Sequence, residues 1–584
     1  MTLTHTLDAD RLVGRLWLSH AVRTGLLLTL LASSAYAQTP TVVSVRPVRN
    51  ARSASRTTPV TVRFSQPLST ATATQQALKV FSQQAGGKKV GAITVNRDTL
   101  SFRPTVPFKA GETVFATVTT AVRSNNDQPL EKPLVFQFTT ATTRSAGVFG
   151  PGSDPAVGST PAKATLGDVD SDGDLDLLTV NYNFNGTVSV RLNNGAGTFS
   201  GSQEVSVDNL PAGIALGDVD SDGDLDLLTA NQYNSTVSIR LNNGAGTFSG
   251  SYDVPVGKGA TDVAVADVDG DGDLDLVTAN TVTAGTVSIR FNNGLGTFSG
   301  SQDLSVPSNP NSIAVGDVDN DGDLDLLTSN GGDISASVCL NNGGGFFSVS
   351  QRVSTISASS NLTLGDIDAD GDLDLLVTGY NSLQNAVAVR LNDGSGVFSG
   401  TQTVNVGTRP LSVKLGDVDG DGDLDIVTAN SSANTASIRL NNGSGSFSGT
   451  QEVSVVNSAS SVALGDVDGN GTLDFVTGSD LLNGTTVSVR LNSQVLASAS
   501  AKQVQGLSLY PNPAHASVRL QLPSGFGGQT GRLSVVNALG QVVLEQALTT
   551  AASLELALPN LVPGLYTVQL TTDQGNLASR LLVE

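Results

Sequence analysis

The residue types that most often carry chemistry are nearly missing from this chain of 584 residues. Cysteine occurs once, at Cys339, which excludes an intramolecular disulfide. Tryptophan occurs once, at Trp17, and histidine three times, at His5, His20 and His515. Positive charge is scarce as well. The 32 Lys and Arg residues face 53 Asp and Glu, and a net charge of -21 argues against nucleic acid as a partner. Beyond Leu31 no stretch is long and apolar enough to span a membrane.

What is abundant is aspartate in one pattern. Asp168-Val-Asp170-Ser-Asp172-Gly173-Asp174-Leu-Asp176 places five carboxylates at odd positions and a glycine at the sixth, followed by Leu177-Leu178-Thr179. No core takes up that charge unpaired. A hard cation requiring six to eight oxygens resolves the conflict, and Ca2+ is the natural candidate, the glycine permitting the sharp turn. The stretch recurs with leading residues Asp218, Asp267, Asp317, Asp366, Asp417 and Asp466, at intervals of 50, 49, 50, 49, 51 and 49 residues. A fixed period of this length signals a repeat architecture. The loops hold 33 of the 53 acidic residues, so the acidity is local. Seven bound Ca2+ would bring the net charge to about -7.

The candidate metal residues are Asp168, Asp170, Asp172, Asp174 and Asp176; Asp218, Asp220, Asp222, Asp224 and Asp226; Asp267, Asp269, Asp271, Asp273 and Asp275; Asp317, Asp319, Asp321, Asp323 and Asp325; Asp366, Asp368, Asp370, Asp372 and Asp374; Asp417, Asp419, Asp421, Asp423 and Asp425; and Asp466, Asp468, Asn470, Thr472 and Asp474. The twelfth position holds Thr179, Thr229 and Thr278 rather than glutamate, which excludes an EF-hand.

Each unit reads as four short strands rich in Val, Ile, Leu and Thr, with Asn-Gly turns between them. Four antiparallel strands per repeat describe a propeller blade, so residues 146–493 are expected to form seven blades. The nine-residue calcium-binding β-helix has far too short a period. The last unit runs out at Leu491-Asn-Ser493, whereas Gly147-Val-Phe149-Gly150 through Val157 precedes the first. Ring closure is therefore expected to pair residues 151–157 with 486–491, hiding two sheet edges.

The other segments are read in chain order. Residues 1–37 carry Arg11, Arg15 and Arg23 before the apolar run Gly25 to Leu31, then Ala35-Tyr36-Ala37, a secretory signal with its cleavage site. Residues 40–140 alternate as in Val60-Thr-Val62-Arg-Phe64 and predict a β-sandwich. Residues 141–145 and 494–505 read as linkers, and 506–584 as a terminal β-unit. Removal of the first sandwich is expected to leave the ring's stability unchanged.

Three resemblances sharpen this reading. Gly-Thr-Phe-Ser-Gly, followed about twenty residues later by Gly-Asp-Val-Asp-x-Asp-Gly-Asp-Leu-Asp, resembles the FG-GAP and VCBS repeat families. The resemblance implies integrin-like calcium propellers. Carboxylates at the first, third, fifth and ninth positions would ligate, and so would the backbone carbonyl of the seventh, leaving the Asp174 side chain toward solvent. Loop seven, with Asn470 and Thr472, departs from the pattern and is expected to bind most weakly. Val60-Thr-Val-Arg-Phe-Ser-Gln-Pro-Leu68, Leu100-Ser-Phe-Arg-Pro104 and Phe136-Gln-Phe138 resemble bacterial Ig-like domains. Leu507-Ser-Leu-Tyr510-Pro-Asn-Pro513, Asn537-Ala-Leu-Gly-Gln541 and Pro563-Gly-Leu-Tyr566 resemble the type A sorting domain of the type IX secretion system. That domain implies passage across the outer membrane and attachment at the cell surface.

Function follows from what remains after the leader is removed. With His515 the one histidine left, and Cys339 in a strand position where other units place Arg191, Arg240 and Arg290, a nucleophilic enzyme is disfavoured and the thiol reads as structural. Carboxylate-only glycan chemistry is the enzymatic alternative, and a spacer without ligand is the structural one. The first reading is an adhesion or recognition module for a glycan, matrix or protein. Successive turns of a blade alternate between faces, so the acidic loops share a face with turns such as Asn193-Asn-Gly195. The variable turns share the opposite one, where Tyr182, Tyr233, Tyr380 and Arg409 are candidate ligand contacts.

Overall fold

The computed structural model describes residues 38–84, 87–356, 358–379, 385–456, 458–494, 507–521, 530–537, 541–549, 553–559, 561–572 and 575–584. The signal segment 1–37, nearly all of the 494–505 linker and the candidate Tyr380 lie outside them. The described chain is all-β, with one three-residue 3-10 turn at Thr70–Thr72. No helix among the described residues is long and apolar enough to cross a membrane.

The first unit is a sandwich of a four-stranded and a three-stranded antiparallel sheet between Val42 and Thr139. The alternation of Val60-Thr-Val-Arg-Phe64 puts Val60, Val62 and Phe64 inward and leaves Arg63 exposed, as a period of two requires. Leu100 and Phe102 flank them in the same sheet, and their counterparts across the core are Val114, Ala116, Phe136 and Phe138. The C-terminal unit is again two sheets, of three and four strands, closed over Val518, Leu520, Leu533, Val535, Val568 and Leu581.

Between them, seven sheets follow at the repeat period, and their innermost strands neighbour one another in a closed ring from Pro161–Gly167 round to Ala459–Gly465 and back. In each blade the second strand, such as Asp176–Asn181, is buried at every residue, because sheets cover both its faces. That explains why these strands read as unbroken Leu-Leu-Thr runs rather than alternations. Apolar seams join the blades. Val169, Leu178, Val180 and Val190 of the first pack on Ile214, Leu216, Leu225 and Leu227 of the second.

Polar staples repeat at six of the seven seams. The third-strand arginines donate Nε to the outer strand of the preceding blade, as in Arg240 to Ser206 O (2.9 Å) and Arg439 to Asn405 O (2.8 Å). Cys339 stands where the fourth blade would carry this arginine. It is buried, its thiol pushed up to about 12 by burial, which makes it a structural residue.

Closure occurs where the sequence placed it. The seventh blade has three strands of its own, and the chain ahead of the first blade supplies the fourth. Ser153 bridges Val489 and Ala156 bridges Thr486, while Ser145–Phe149 pairs with Asn492–Gln494. The match extends to side chains. Asp154 accepts from Ser488 Oγ and Arg490 Nη1, both at 2.8 Å, as Glu204 does from Ser189 (2.8 Å) and Arg191 (2.9 Å) within the first blade.

The packing argues against the expectation of an independent first sandwich. The sandwich and the following residues lie across the face that carries the acidic loops and reach all seven. Arg49 pairs with Asp317 (3.1 Å), Arg52 with Asp423 (3.0 Å), Lys79 with Asp273 (2.9 Å) and Lys109 with Asp168 (3.9 Å). Lys88 N donates to Asp218 (3.3 Å), Asn50 Nδ2 to Gly371 O (2.9 Å) and Thr143 N to Gly471 O (2.7 Å). Residues 141–145 are part of this contact: Thr142 donates to Asp417 (2.9 Å) and Ser145 N to Asp419 O (2.8 Å). The sequence hid the interface because its partners are single Lys, Arg and Thr residues, each of which passes for a solvated surface group.

Two outcomes are expected. Asp154→Ala, which strands Arg490, should cost about 1–2 kcal/mol and lower the melting temperature by a few degrees, whereas deletion of residues 146–158 should abolish cooperative melting of the ring. Deletion of residues 38–140 should also lower that melting temperature; an unchanged value would mean that the sandwich is a passenger.

Candidate metal loops and the opposite face

Each acidic loop is wound by its own carboxylates. In the first loop Asp170 Oδ1 accepts from Asp172 N (3.3 Å) and Asp172 Oδ1 from Asp174 N (2.9 Å), a pair of side-chain turns. Gly173 takes φ +98, which a side chain would strain.

The ninth-position aspartate is the deepest. Asp176 is fully buried, its Oδ2 accepting from Val169 N (3.0 Å) and its Oδ1 from Asn193 N (2.8 Å). All seven repeats reproduce this pair of bonds, through Asp226, Asp275, Asp325, Asp374, Asp425 and Asp474. The asparagine that meets it reaches on to the preceding blade. Asn242 Nδ2 donates to Val169 O (2.8 Å), and Asn193 Nδ2 donates to Val467 O (2.7 Å) across the closing seam. Sequence reasoning took these Asn-Asn-Gly turns for simple hairpin turns. The leading asparagine, which recurs in every unit from Asn193 to Asn492, was the available signal of a further role.

The loops fit a cation. In the first loop, carboxylate oxygens of Asp168, Asp170 and Asp176 lie within 4.8 Å of one another. The same holds for Asp218, Asp220 and Asp226, for Asp317, Asp319 and Asp325, and for Asp366, Asp368 and Asp374, while in the third loop Asp267, Asp269 and Asp271 converge. Buried oxygens without a protein partner belong to these groups, Oδ1 of Asp168, Asp218, Asp317 and Asp368, and Asp466 Oδ1 of the seventh loop is another. A buried anionic oxygen left unpaired costs several kcal/mol, and a cation removes that cost. Burial drives the ninth-position carboxyls far up, to about 7 for Asp176 and Asp374 and about 8 for Asp226, Asp325, Asp425 and Asp474.

Seventh-position side chains do not all face solvent. Asp273 and Asp423 pair with Lys79 and Arg52, and Asp174 lies against Gly195, where an added Cβ would come within 2.5 Å of its Oδ2. In the seventh loop Thr472 Oγ1 lies 2.6 Å from Asn470 Oδ1 and 2.8 Å from Asn492 O, two acceptors for its one proton, so its hydroxyl is committed to holding the loop.

The turns divide between faces as expected. On the face away from the loops, Tyr182 donates its hydroxyl to Gln232, and Phe184 meets Tyr233 edge-on at 5.5 Å, joining the first two blades. Phe184 and Tyr233 are exposed, as are Leu481 and Leu482 on the adjacent seventh blade. The sequence reading overlooked Phe184, because it searched the variable turns for tyrosines. Arg409 is separate from this cluster, on the crossover into the sixth blade, where it donates to Ser431 (3.4 Å). His515, the one histidine among the described residues, lies in the C-terminal sandwich against Glu584 O (3.1 Å).

Comparison with known families fits this geometry. Matches to the FG-GAP-like repeat span residues 168–229, 218–278, 278–328, 366–428 and 417–477, and all seven acidic loops fall within them. These are FG-GAP repeats. A bacterial Ig-like domain matches at 37–140 and a secretion system C-terminal sorting domain at 508–584. The sorting domain marks this FG-GAP protein for type IX secretion, to the cell surface or beyond. No curated protein matches the chain significantly. Among solved structures, similarity extends to a Lactobacillus plantarum protein (16% identity, 66% of this chain and 98% of that one, TM-score 0.41) and to a periplasmic gluconolactonase of Pseudomonas aeruginosa (16%, 65% and 97%, TM-score 0.36). BBS1N in complex with ARL6DN is also similar (14%, 61% and 98%, TM-score 0.42).

The raised carboxyls set a pH dependence. A ninth-position carboxyl titrates near 4 in the unfolded chain and near 7–8 in the metal-free fold. Between those values the folded state holds more protons, so stability falls as pH rises. The metal-free protein should therefore melt at a lower temperature at pH 8 than at pH 5, and a saturating divalent cation should flatten or reverse that slope. Circular dichroism melts after exhaustive chelation test this, and a metal-free melting point independent of pH would contradict it.

Proposed function

We propose that this secreted protein is a calcium-stabilised recognition module that binds an extracellular glycan, matrix or protein ligand on the face opposite its acidic loops. The observation that carries the reading is the division of labour between faces. The N-terminal sandwich and residues 142–145 occupy the loop face, whereas the opposite face presents Phe184, Tyr233, Leu481 and Leu482 on three consecutive blades. Exposed aromatic and aliphatic side chains gathered on a rigid frame are the usual anchors of recognition.

Calcium is the proposed ion because the donors are hard carboxylate oxygens in turn-rich loops with no nitrogen or sulfur ligand nearby. The first-, third- and ninth-position aspartates form the proposed inner set, joined by the fifth. Loop seven, with one carboxylate fewer, is the weakest of up to seven sites. The ion would supply charge neutralisation and loop order. The protein's own residues anchor the ninth carboxylate and hold each loop against the next blade.

Extracellular calcium modules have Kd values on the order of 10-4 to 10-3 M. At ten times Kd each site contributes roughly 1.4 kcal/mol, and six together roughly 8 kcal/mol, comparable to a domain's whole stability. Chelation should lower the melting temperature sharply, and melting curves with and without excess chelator check this. Screening the protein on glycan, matrix-protein and bacterial-cell arrays should give a ligand. Phe184→Ala with Tyr233→Ala should then weaken its binding about tenfold or more and leave calcium-dependent melting unchanged. Loss of binding on Asn194→Ala with no effect of the aromatic pair would place the site on the other face.

A further inference from the structure

The carboxylate that opens each loop meets two units, and its two oxygens are treated differently. Oδ2 accepts the amide of the sixth-position glycine of its own loop. Examples are Gly223 to Asp218 (3.1 Å), Gly322 to Asp317 (3.1 Å), Gly422 to Asp417 (3.1 Å) and Gly471 to Asp466 (2.8 Å). In five loops a second group reaches the same oxygen from the sandwich or the residues that follow it. Lys109 Nζ meets Asp168 Oδ2 (3.9 Å), and Lys88 N meets Asp218 Oδ2 (3.3 Å). Thr117 Oγ1 meets Asp267 Oδ2 (2.7 Å), Arg49 Nη1 meets Asp317 Oδ2 (3.1 Å) and Thr142 Oγ1 meets Asp417 Oδ2 (2.9 Å). An amide, two cations and two hydroxyls thus converge on one oxygen type. Among the described residues, Oδ2 of Asp366 and of Asp466 has donors from its own loop alone.

The other oxygen is left to the acidic cluster. Oδ1 of Asp168, Asp218 and Asp317 is buried without a protein partner. Oδ1 of Asp267 and of Asp417 takes one loop amide, from Gly270 (2.9 Å) and Asp421 (3.0 Å), and keeps a lone pair. A carboxylate held by one oxygen cannot turn freely about its terminal bond, so the second oxygen is fixed as well. Outer-shell donors of this kind orient a metal ligand and strengthen binding.

The donors differ in what they do to a cation. Lys109 and Arg49 bring positive charge to a carboxylate that a metal ion would share, and that charge repels the ion. The hydroxyls of Thr117 and Thr142 orient their carboxylates without this penalty. Thr117 lies in the strand Thr113–Val118, whose Val114, Ala116 and Val118 fill the sandwich core. Alternation therefore turns Phe115 and Thr117 to the ring, where Thr117 is fully buried. Thr142 is steadied by its neighbours, Thr143 N on Gly471 O (2.7 Å) and Ser145 N on Asp419 O (2.8 Å). Lys79 and Arg52 engage the seventh-position side chains of these two loops instead.

We propose that Thr117 and Thr142 are positioning residues of the third and sixth calcium loops, so that the sandwich and calcium bind the ring cooperatively. The inference rests on the calcium reading above. Sandwich and ion each hold one oxygen of a shared carboxylate, so each lowers the ordering cost that the other meets, and the coupling is reciprocal.

Equilibrium dialysis of the full chain against radiolabelled calcium measures the sites. Thr117→Val with Thr142→Val keeps the side-chain shapes, removes both hydroxyls and should weaken two sites at least about tenfold. Thr117→Ser with Thr142→Ser should restore most of the affinity, and exposed Thr94→Val should change nothing. The reciprocal effect is read on the unaltered chain by hydrogen exchange. Calcium should slow amide exchange across Thr113–Val118, which holds no carboxylate, more than across Val60–Phe64 in the sandwich's other sheet. An unchanged binding curve in the double valine variant would overturn the inference and leave the calcium reading standing, even if its melting temperature fell. Exchange across Thr113–Val118 that is indifferent to calcium would do the same. An unaltered chain that binds no calcium would overturn both.

Discussion

The ring depends on one buried carboxylate repeated seven times. The ninth-position aspartate takes a backbone amide of its own loop on one oxygen and the amide of the Asn-Asn-Gly turn on the other. That asparagine then reaches the loop of the preceding blade. Loop, turn and neighbouring blade therefore share one anchor. Burying the carboxylate is costly without a cation, so a metal in the loop would steady a blade and its contact with the next together. This linkage explains why an acidic pattern that destabilises an isolated hairpin persists through every unit. The loop is part of the seam.

Much of this was legible in the sequence because it was written in periods. The spacing of Asp168, Asp218 and their successors fixed the repeat. Alternation fixed the sandwich strands, and the missing fourth strand of the last unit fixed closure. What could not be read is what repeats do not show. Lys79, Arg49, Arg52 and Thr142 carry no motif, and their approach to the loops depends on how two units meet. The staple made by Asn193 needs two blades to exist. Phe184 and Tyr233 are separate turn residues in the chain and become a pair once adjacent blades bring their rings to 5.5 Å. Asp174 was assigned to solvent by analogy, whereas the glycine turn and the docked sandwich claim this position in several loops.

The docked sandwich also gives the ring two unlike ends. At one, cationic and hydroxyl side chains meet the loops and close the axis. At the other, the inner-strand starts and variable turns remain open to diverge. The acidic-loop face, which repeats with little change, tolerates a permanent neighbour, whereas a face free of one can vary. The same asymmetry applies to the cavity on the ring's axis, which Gln84, Glu112 and Gln137 of the sandwich line at one end. The charges of Lys163, Asp262 and Lys414 break the repeat there and nowhere else along the inner strands.

Closure by residues 145–157 has a kinetic side. Within each blade the strands that pair are close in sequence, so a blade can form from local contacts. Ring closure is different: Asp154 and Arg490 are separated by 336 residues. Non-local pairing of that span is slow to form because the intervening chain must first be brought together. The seven units are thus poised to assemble one after another as an open arc. The step that turns the arc into a disc waits until both of its ends have emerged.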